Sequence, residues 1–342
     1  MSQDSSMHPP FALFHGDGRQ RVGQADQLPA PLAARLRQPE RYLVDDGLRD
    51  ACNVALLLGQ PLLLTGEPGT GKSRFAHALA WEFGLGEPLV HAVKSTSTAK
   101  DLFYHYDALK RFQDIQTGLA SPDTPVAGYL TIHALGRAIL HSHAPADLPV
   151  ELAELACGGA PRRSVVLVDE VDKAPRDFAN DVLNEVEDLY FRLPELGDVT
   201  VQAHPDRRPL IVLTSNSERD LPDAFLRRCV YYHIPFPDPE RLEAIVALQL
   251  QDLPSDSALT RQAIALFLEL REPRAGLRKK PATAELLLWL LTLRRLLGPE
   301  ADTAGLRGPG QLELVRRSLG SLIKTADDRE QALRVVSQWL AD

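Results

Sequence analysis

Five short apolar runs punctuate the chain before residue 235: PLLLT (61–65), PLVHAV (88–93), SVVLVD (164–169), PLIVLT (209–214) and CVYYHI (229–234). Continuous apolar runs of this length, bounded by Pro, Gly or charge, predict strands buried in a parallel sheet. Helical spacing separates them. Leu48, Cys52, Ala55, Leu56 and Leu58 predict a helix stopped by Gly59; Phe75, Ala76, Leu79, Ala80 and Phe83 predict a second, stopped by Gly84. Thr98 and Asp101 fit an N-capping pattern inside the aromatic stretch 96–112, a helix begins near Leu135, and another covers 176–190. YFRL and VTV around PELGD predict a β-hairpin at 190–202, while 117–128 and 144–163 have the composition of connections. After PFPDP (235–239) no strand pattern returns, and helices are expected at 240–251, 258–271, 283–297, 311–323 and 328–340. The pattern therefore reads as an irregular arm (1–40), an α/β domain (41–238) and an all-helical domain (239–342), with no internal repeat.

Composition narrows the class. A chain of 342 residues has room for about two domains. With 44% apolar and 25% charged residues it is neither disordered, collagen-like nor a disulfide-stapled miniprotein. Its 38 basic against 46 acidic residues give a net charge of -8, which argues against a global nucleic-acid surface. Cys52, Cys157 and Cys229 are scattered, without CxxC spacing, as expected of reduced thiols in a cytoplasmic protein. The richest apolar stretch, Leu286–Leu293, is far short of a membrane span, and no basic segment leading into an apolar one suggests a secretory signal.

Chemistry concentrates at strand ends. Gly66-Glu67-Pro68-Gly69-Thr70-Gly71-Lys72-Ser73 matches GxxxxGK[ST] between an expected strand and an expected helix. Its glycines let consecutive N–H groups point inward at phosphate oxygens, and the helix adds its positive end. Lys72 would reach the β- and γ-phosphates, and the Ser73 hydroxyl would ligate Mg²⁺. In VVLVDE (165–170), Asp169 would hold Mg²⁺ directly or through water, and Glu170 would orient or deprotonate the attacking water. Leu213-Thr214-Ser215-Asn216 ends a strand in a polar residue, with Asn216 either contacting the γ-phosphate or water or simply forming a turn. Arg227 and Arg228 precede the fifth strand, placed to reach a neighbour's γ-phosphate or to sit on the surface.

Taken together, GEPGTGKS, VVLVDEVDKA, LTSNSERDLPDAFLRRC and a helical C-terminal region resemble the AAA+ ATPases over about 42–300, and within them the MoxR-like branch related to dynein and midasin. The resemblance implies a five-stranded sheet ordered 5-1-4-3-2 followed by an all-α lid, and an ATP and Mg²⁺ site between subunits of a ring, usually a hexamer. Lys72 and Ser73 match the P-loop pair, Asp169 and Glu170 the Walker B acids, and Asn216 the sensor-1 position. Arg228 best matches the trans-acting arginine finger, with Arg227 the adjacent candidate. Many relatives carry a sensor-2 Arg just after a lid Pro; here Ala282 follows Pro281, and Lys280 is the substitute. The implied client is another protein, often one with a von Willebrand factor A domain. The rival functions are a non-hydrolysing ATP-dependent switch and a nucleic-acid motor or loader.

Other features read blandly. His133, His141 and His143 lack the companions of a metal site. Phe103, Tyr104, Tyr106 and Phe112 either line a pore or partner face or are buried, and Leu286, Leu287, Trp289, Leu290 and Leu291 belong to a helical core.

Overall fold

The computed structural model describes residues 30–121, 123–156, 159–175, 178, 183–216, 221–254, 256–298, 301–307 and 311–341. Expectations for the arm before residue 30, for most of 176–182, for Cys157 and for 217–220 lie outside the described residues. The chain divides into two compact units, Val44–Phe236 and a second in which the preceding residues join Pro237–Asp342.

The first unit is an α/β domain. Its strands are β1 (Leu62–Thr65), β2 (Leu89–Ala92), β3 (Tyr104–Tyr106), β4 (Leu130–Ile132), β5 (Val165–Asp169), β6 (Tyr190–Leu193), β7 (Val199–Gln202), β8 (Leu210–Thr214) and β9 (Val230–His233). Five of them form the main sheet in the order β2-β5-β8-β1-β9, every pair parallel. Counted in sequence order within that sheet, this is the expected 5-1-4-3-2. The central strands β1, β5 and β8 are buried almost throughout, whereas the edge strands β2 and β9 alternate half-buried and exposed positions. That contrast explains why the central runs are unbroken in apolar residues and the edge runs carry His and Tyr.

Helices cover the sheet. α1 (Asp46–Leu58) is capped by Asp45, which accepts from the Leu48 N–H at 2.8 Å, and ends at Gly59 with φ 66°. α2 (Lys72–Glu82) buries Phe75, Ala76, Leu79 and Ala80. α3 (Ala108–Gln116), α4 (Ala134–His141), the short α5 (Val150–Leu155) inside the Pro/Gly-rich connection, α6 (Leu183–Asp188) and α7 (Asp223–Leu226) complete the unit.

The stretch 96–112 is not one helix. A capping box at Thr98 and Asp101 opens a single 3₁₀ turn, β3 follows and pairs antiparallel with β4, and only then does α3 begin. The β6–β7 hairpin docks on this element. Phe103 stacks on Phe191 with centroids 5.7 Å apart, and Glu195 accepts from both Lys100 Nζ and Tyr104 Oη at 2.9 Å. The aromatics thus divide: Phe103 and Tyr104 are core, whereas Phe112 is exposed.

The second unit is helical: α8 (Pro239–Gln249), α9 (Ala258–Arg271), α10 (Thr283–Leu297), α11 (Ala301–Ala304), α12 (Gln311–Ser318) and α13 (Ala326–Ala341). Phe267, Trp289 and Leu290 are fully buried, and the Trp289 indole N–H donates to Ser318 Oγ at 2.9 Å. Two 3₁₀ turns, Leu32–Arg37 and Pro39–Arg41, pack here: Arg35 pairs with Asp252 at 3.1 Å, and Arg41 donates to the Gln249 carbonyl at 3.3 Å. No helix among the described residues is long and apolar enough to cross a membrane.

Candidate functional site

The C-terminal ends of β1, β5 and β8 meet along one edge of the sheet, which is where open parallel sheets bind ligands. β1 runs directly into the glycine loop. Gly66, Gly69 and Gly71 have φ of 140°, 79° and 95°, conformations that L side chains rarely adopt. A Cβ on Gly66 would also stand 2.6 Å from the Ile234 carbonyl oxygen. The loop is therefore a tight cradle that backbone alone can form. α2 opens from it at Lys72 with no side-chain cap and no acid in its first turn, so its positive end is left for an anion.

Lys72 is 7% exposed, and its Nζ donates to the Gly66 and Glu67 carbonyls at 2.8 and 3.0 Å. Burial lowers its pKa, against the pull of Asp172, Asp169, Glu170 and Glu67. The four acids act on this ammonium through space, while its direct partners are the two loop carbonyls.

Ser73 Oγ donates to Asp169 Oδ1 at 2.7 Å, joining the first turn of α2 to the tip of β5 across 96 residues of sequence. Thr214, buried at the end of β8, donates to the same Asp169 oxygen and accepts from the Glu170 N–H at 2.9 Å. Glu170 itself lies in the left-handed region, φ 61° and ψ 52°, a costly conformation for a residue with a Cβ. Its carboxylate pairs with Lys173, whose ammonium this hydrogen bond holds above its ordinary pKa. The Asn216 N–H donates to Asp172 Oδ1 at 3.1 Å, and its side chain is exposed.

Ser73, Asp169, Glu170, Thr214 and Asn216 are thus gathered at one edge, with Lys72 beside them. Thr214, Asp172 and Lys173 lie within the motifs read from the sequence but were given no role there. The legible signal for Thr214 was a hydroxyl closing an otherwise apolar run. Hydroxyl and carboxylate oxygens are the donors a hard divalent cation takes, and Mg²⁺ needs only one or two of them when phosphates supply others. Among the described residues no group of three or more His, Cys, Asp or Glu could hold a metal ion by itself.

Arg227 and Arg228 lie apart from this edge. They precede β9, whose first residue pairs with Leu62 at the N-terminal end of β1. Arg228 Nε donates to the Glu187 carboxylate at 2.7 Å and its Nη1 to the Ala224 carbonyl at 3.1 Å; Arg227 is exposed. Lys280 belongs to the helical unit and is exposed, next to Arg278 and Lys279, whose N–H groups donate to the two carboxylate oxygens of buried Asp328 at 2.8 and 3.1 Å. The histidines are engaged structurally: His133 Nδ1 contacts the Asp101 carbonyl at 2.6 Å, His143 Nε2 the Gln202 carbonyl at 2.7 Å, and His141 is buried beside Ser164.

No curated protein matches the chain significantly. Among solved structures, a RuvB point mutant from Thermotoga maritima superposes with a TM-score of 0.42 at 15% identity, covering 80% of this chain and 67% of that one. Domain III of the Thermotoga maritima replication initiation protein DnaA superposes at 0.37 and 12% identity, covering 90% and 98%. Residues 61–229, which span β1, the glycine loop and the strand ends just described up to the start of β9, match the family model for the AAA domain of the dynein-related subfamily.

Proposed function

We propose that the chain is a MoxR-like AAA+ ATPase that hydrolyses ATP to ADP and phosphate between the subunits of a cytoplasmic ring, usually hexameric in that branch, and spends the energy on remodelling a partner protein. The observation that carries this reading is the Ser73–Asp169 contact, because it joins the two oxygens the reaction needs at a metal, from segments far apart in sequence. The match of residues 61–229 to the AAA domain model supports it.

In this mechanism the loop amides and the Lys72 ammonium hold the β- and γ-phosphates. Ser73 and Asp169 would hold Mg²⁺, which when bound neutralises phosphate charge. Glu170, swung free of Lys173, accepts a proton from the attacking water, and Asn216 orients that water. An arginine of the 227–228 pair, from a neighbouring copy, meets the charge developing on the γ-phosphoryl group. Such an arginine is worth roughly 10³–10⁵ in rate in P-loop enzymes. Lys280 in the helical unit is the candidate for following the γ-phosphate. The client class, a von Willebrand factor A domain protein, comes from resemblance alone.

The test is Glu170→Gln. Turnover should fall at least about a hundredfold, the scale of general-base catalysis, with ATP affinity kept. Undiminished phosphate release would remove Glu170 from the mechanism; no Mg²⁺-dependent ATP binding by the wild type would remove the whole reading.

A further inference from the structure

The opposite end of the same sheet carries a second constellation that nucleotide chemistry does not use. Where β1 and β8 begin, α1 and α2 both terminate, and a cavity of about 250 Å³ opens between them. Leu57, Leu58 and Leu79 supply apolar walls; Leu57 is 87% exposed and Leu58 61%. Single exposed leucines are ordinary, but two adjoining ones at the mouth of an apolar slot are not. The other wall is cationic. Arg163 and Arg208 line the cavity, with Arg207 next to Arg208 in the chain.

These arginines are held in place by neutral groups. Arg163 Nη2 donates to the Asp206 carbonyl at 3.0 Å, Arg207 Nε to the Ser142 carbonyl at 2.6 Å and Arg208 Nη2 to the Glu187 carbonyl at 2.8 Å. Among the described residues none of the three is paired with a carboxylate. The nearby Glu187 carboxylate is committed to Arg228. A guanidinium has five N–H donors in a fixed fork, so each is oriented by its carbonyl and still has donors free for a carboxylate. In a protein of net charge -8, arginines with no carboxylate partner among the described residues, set beside a leucine slot, are a selective feature.

We propose that this end of the α/β unit is a docking site for an acidic, leucine-rich peptide segment of a partner protein. Its apolar side chain enters the slot beside Leu57, Leu58 and Leu79, and its carboxylates lie on Arg163 and Arg208. The apolar slot favours a peptide over nucleic acid, whose surfaces seek polar, strongly cationic contacts. The slot's size favours one or two inserted side chains over a broad face from a second copy. The site also has a route to the glycine loop, because α2 begins at Lys72 and ends beside the slot. Occupancy is a property of the surface alone and does not depend on nucleotide hydrolysis.

The experiment is fluorescence anisotropy with a labelled short peptide of leucine and glutamate, its leucine–glutamine counterpart, and a labelled short DNA duplex, each titrated with the full chain. The expected result is binding of the glutamate peptide, weakened by salt, and at least about tenfold weaker for Arg163→Glu/Arg208→Glu and for Leu57→Asp. These positions are at the surface, and an unchanged melting temperature verifies folding. The proposal is overturned if the wild type ignores the glutamate peptide, binds the glutamine peptide equally, or prefers the duplex. It is equally overturned if the charge reversal changes the oligomeric state and leaves peptide affinity intact.

Discussion

Thr214 shows how one hydroxyl organises the two acidic residues proposed for catalysis. It donates to Asp169 and accepts from the N–H of Glu170, so it fixes the strand tip at the peptide where the chain turns into the left-handed region. Valine has nearly the same shape but neither bond: Asp169 Oδ1 keeps only Ser73, and the part-buried Glu170 N–H loses its partner, a loss of about 1–3 kcal/mol. Thr214→Val is therefore expected to lower kcat roughly tenfold or more while ATP affinity changes little, because the loop that grips phosphate is untouched. A raised KM with kcat unchanged would mean that the hydroxyl serves binding instead. The acids of this group were legible in the sequence, because carboxylates closing an apolar run downstream of a glycine loop have few other uses. Thr214 was not, since a threonine suits a strand whether or not its hydroxyl is used. The pairing of Glu170 with Lys173 was also hidden, because it depends on a backbone turn that residue identities do not announce.

At the scale of elements, the site is a strand, a turn and a helix whose geometry leaves no slack. β1 is buried at all four positions, and Ile234 follows β9 alongside it, its N–H donating to the Thr65 carbonyl at 2.8 Å. That contact brings the Ile234 carbonyl against Gly66, so Gly66→Ala meets both an unfavourable φ and a backbone clash at 2.6 Å. The expected outcome is a loop displaced from its cradle: nucleotide binding lost by calorimetry, with the far-ultraviolet circular dichroism of the sheet and helices retained. Wild-type affinity would show that the loop re-forms around the methyl. Elements of this sort were readable because burial on both faces forces unbroken apolar runs, and because the C-terminal helices Ala258–Arg271 and Thr283–Leu297 bury one long stripe each. The stretch 96–112 was harder: its Thr98–Asp101 cap suggests a helix, but tertiary contacts from Phe191 and Glu195 hold the next residues as strand.

The whole molecule poses a question that no single residue answers, since the arginines at the start of β9 stand at the opposite end of the strands from their own glycine loop. If one of them serves catalysis it must serve another copy, so turnover per chain should rise with concentration until assembly saturates. The two candidates differ in what they would give up. Arg228 is bonded to Glu187 and to the Ala224 carbonyl, and releasing it means breaking an ion pair, whereas Arg227 is exposed and, among the described residues, shows no such contact. A half-exposed pair of this kind is worth at most about 1 kcal/mol, small against the several kcal/mol an arginine contributes when it meets a phosphoryl transition state. The ion pair therefore lowers the readiness of Arg228 without forbidding its use. Glu187→Gln separates the cases: it should raise turnover about twofold to fivefold, within the range that pair strength allows, if Arg228 is the residue that swings across. It should leave the rate unchanged if Arg227 does the work and Arg228 only braces the turn before β9. In the first case Arg228→Ala loses the concentration-dependent rate while keeping ATP affinity; in the second, Arg227→Ala does so and Arg228→Ala costs only a little stability. Full turnover in both alanine variants would mean that hydrolysis, if it occurs, is completed within one copy.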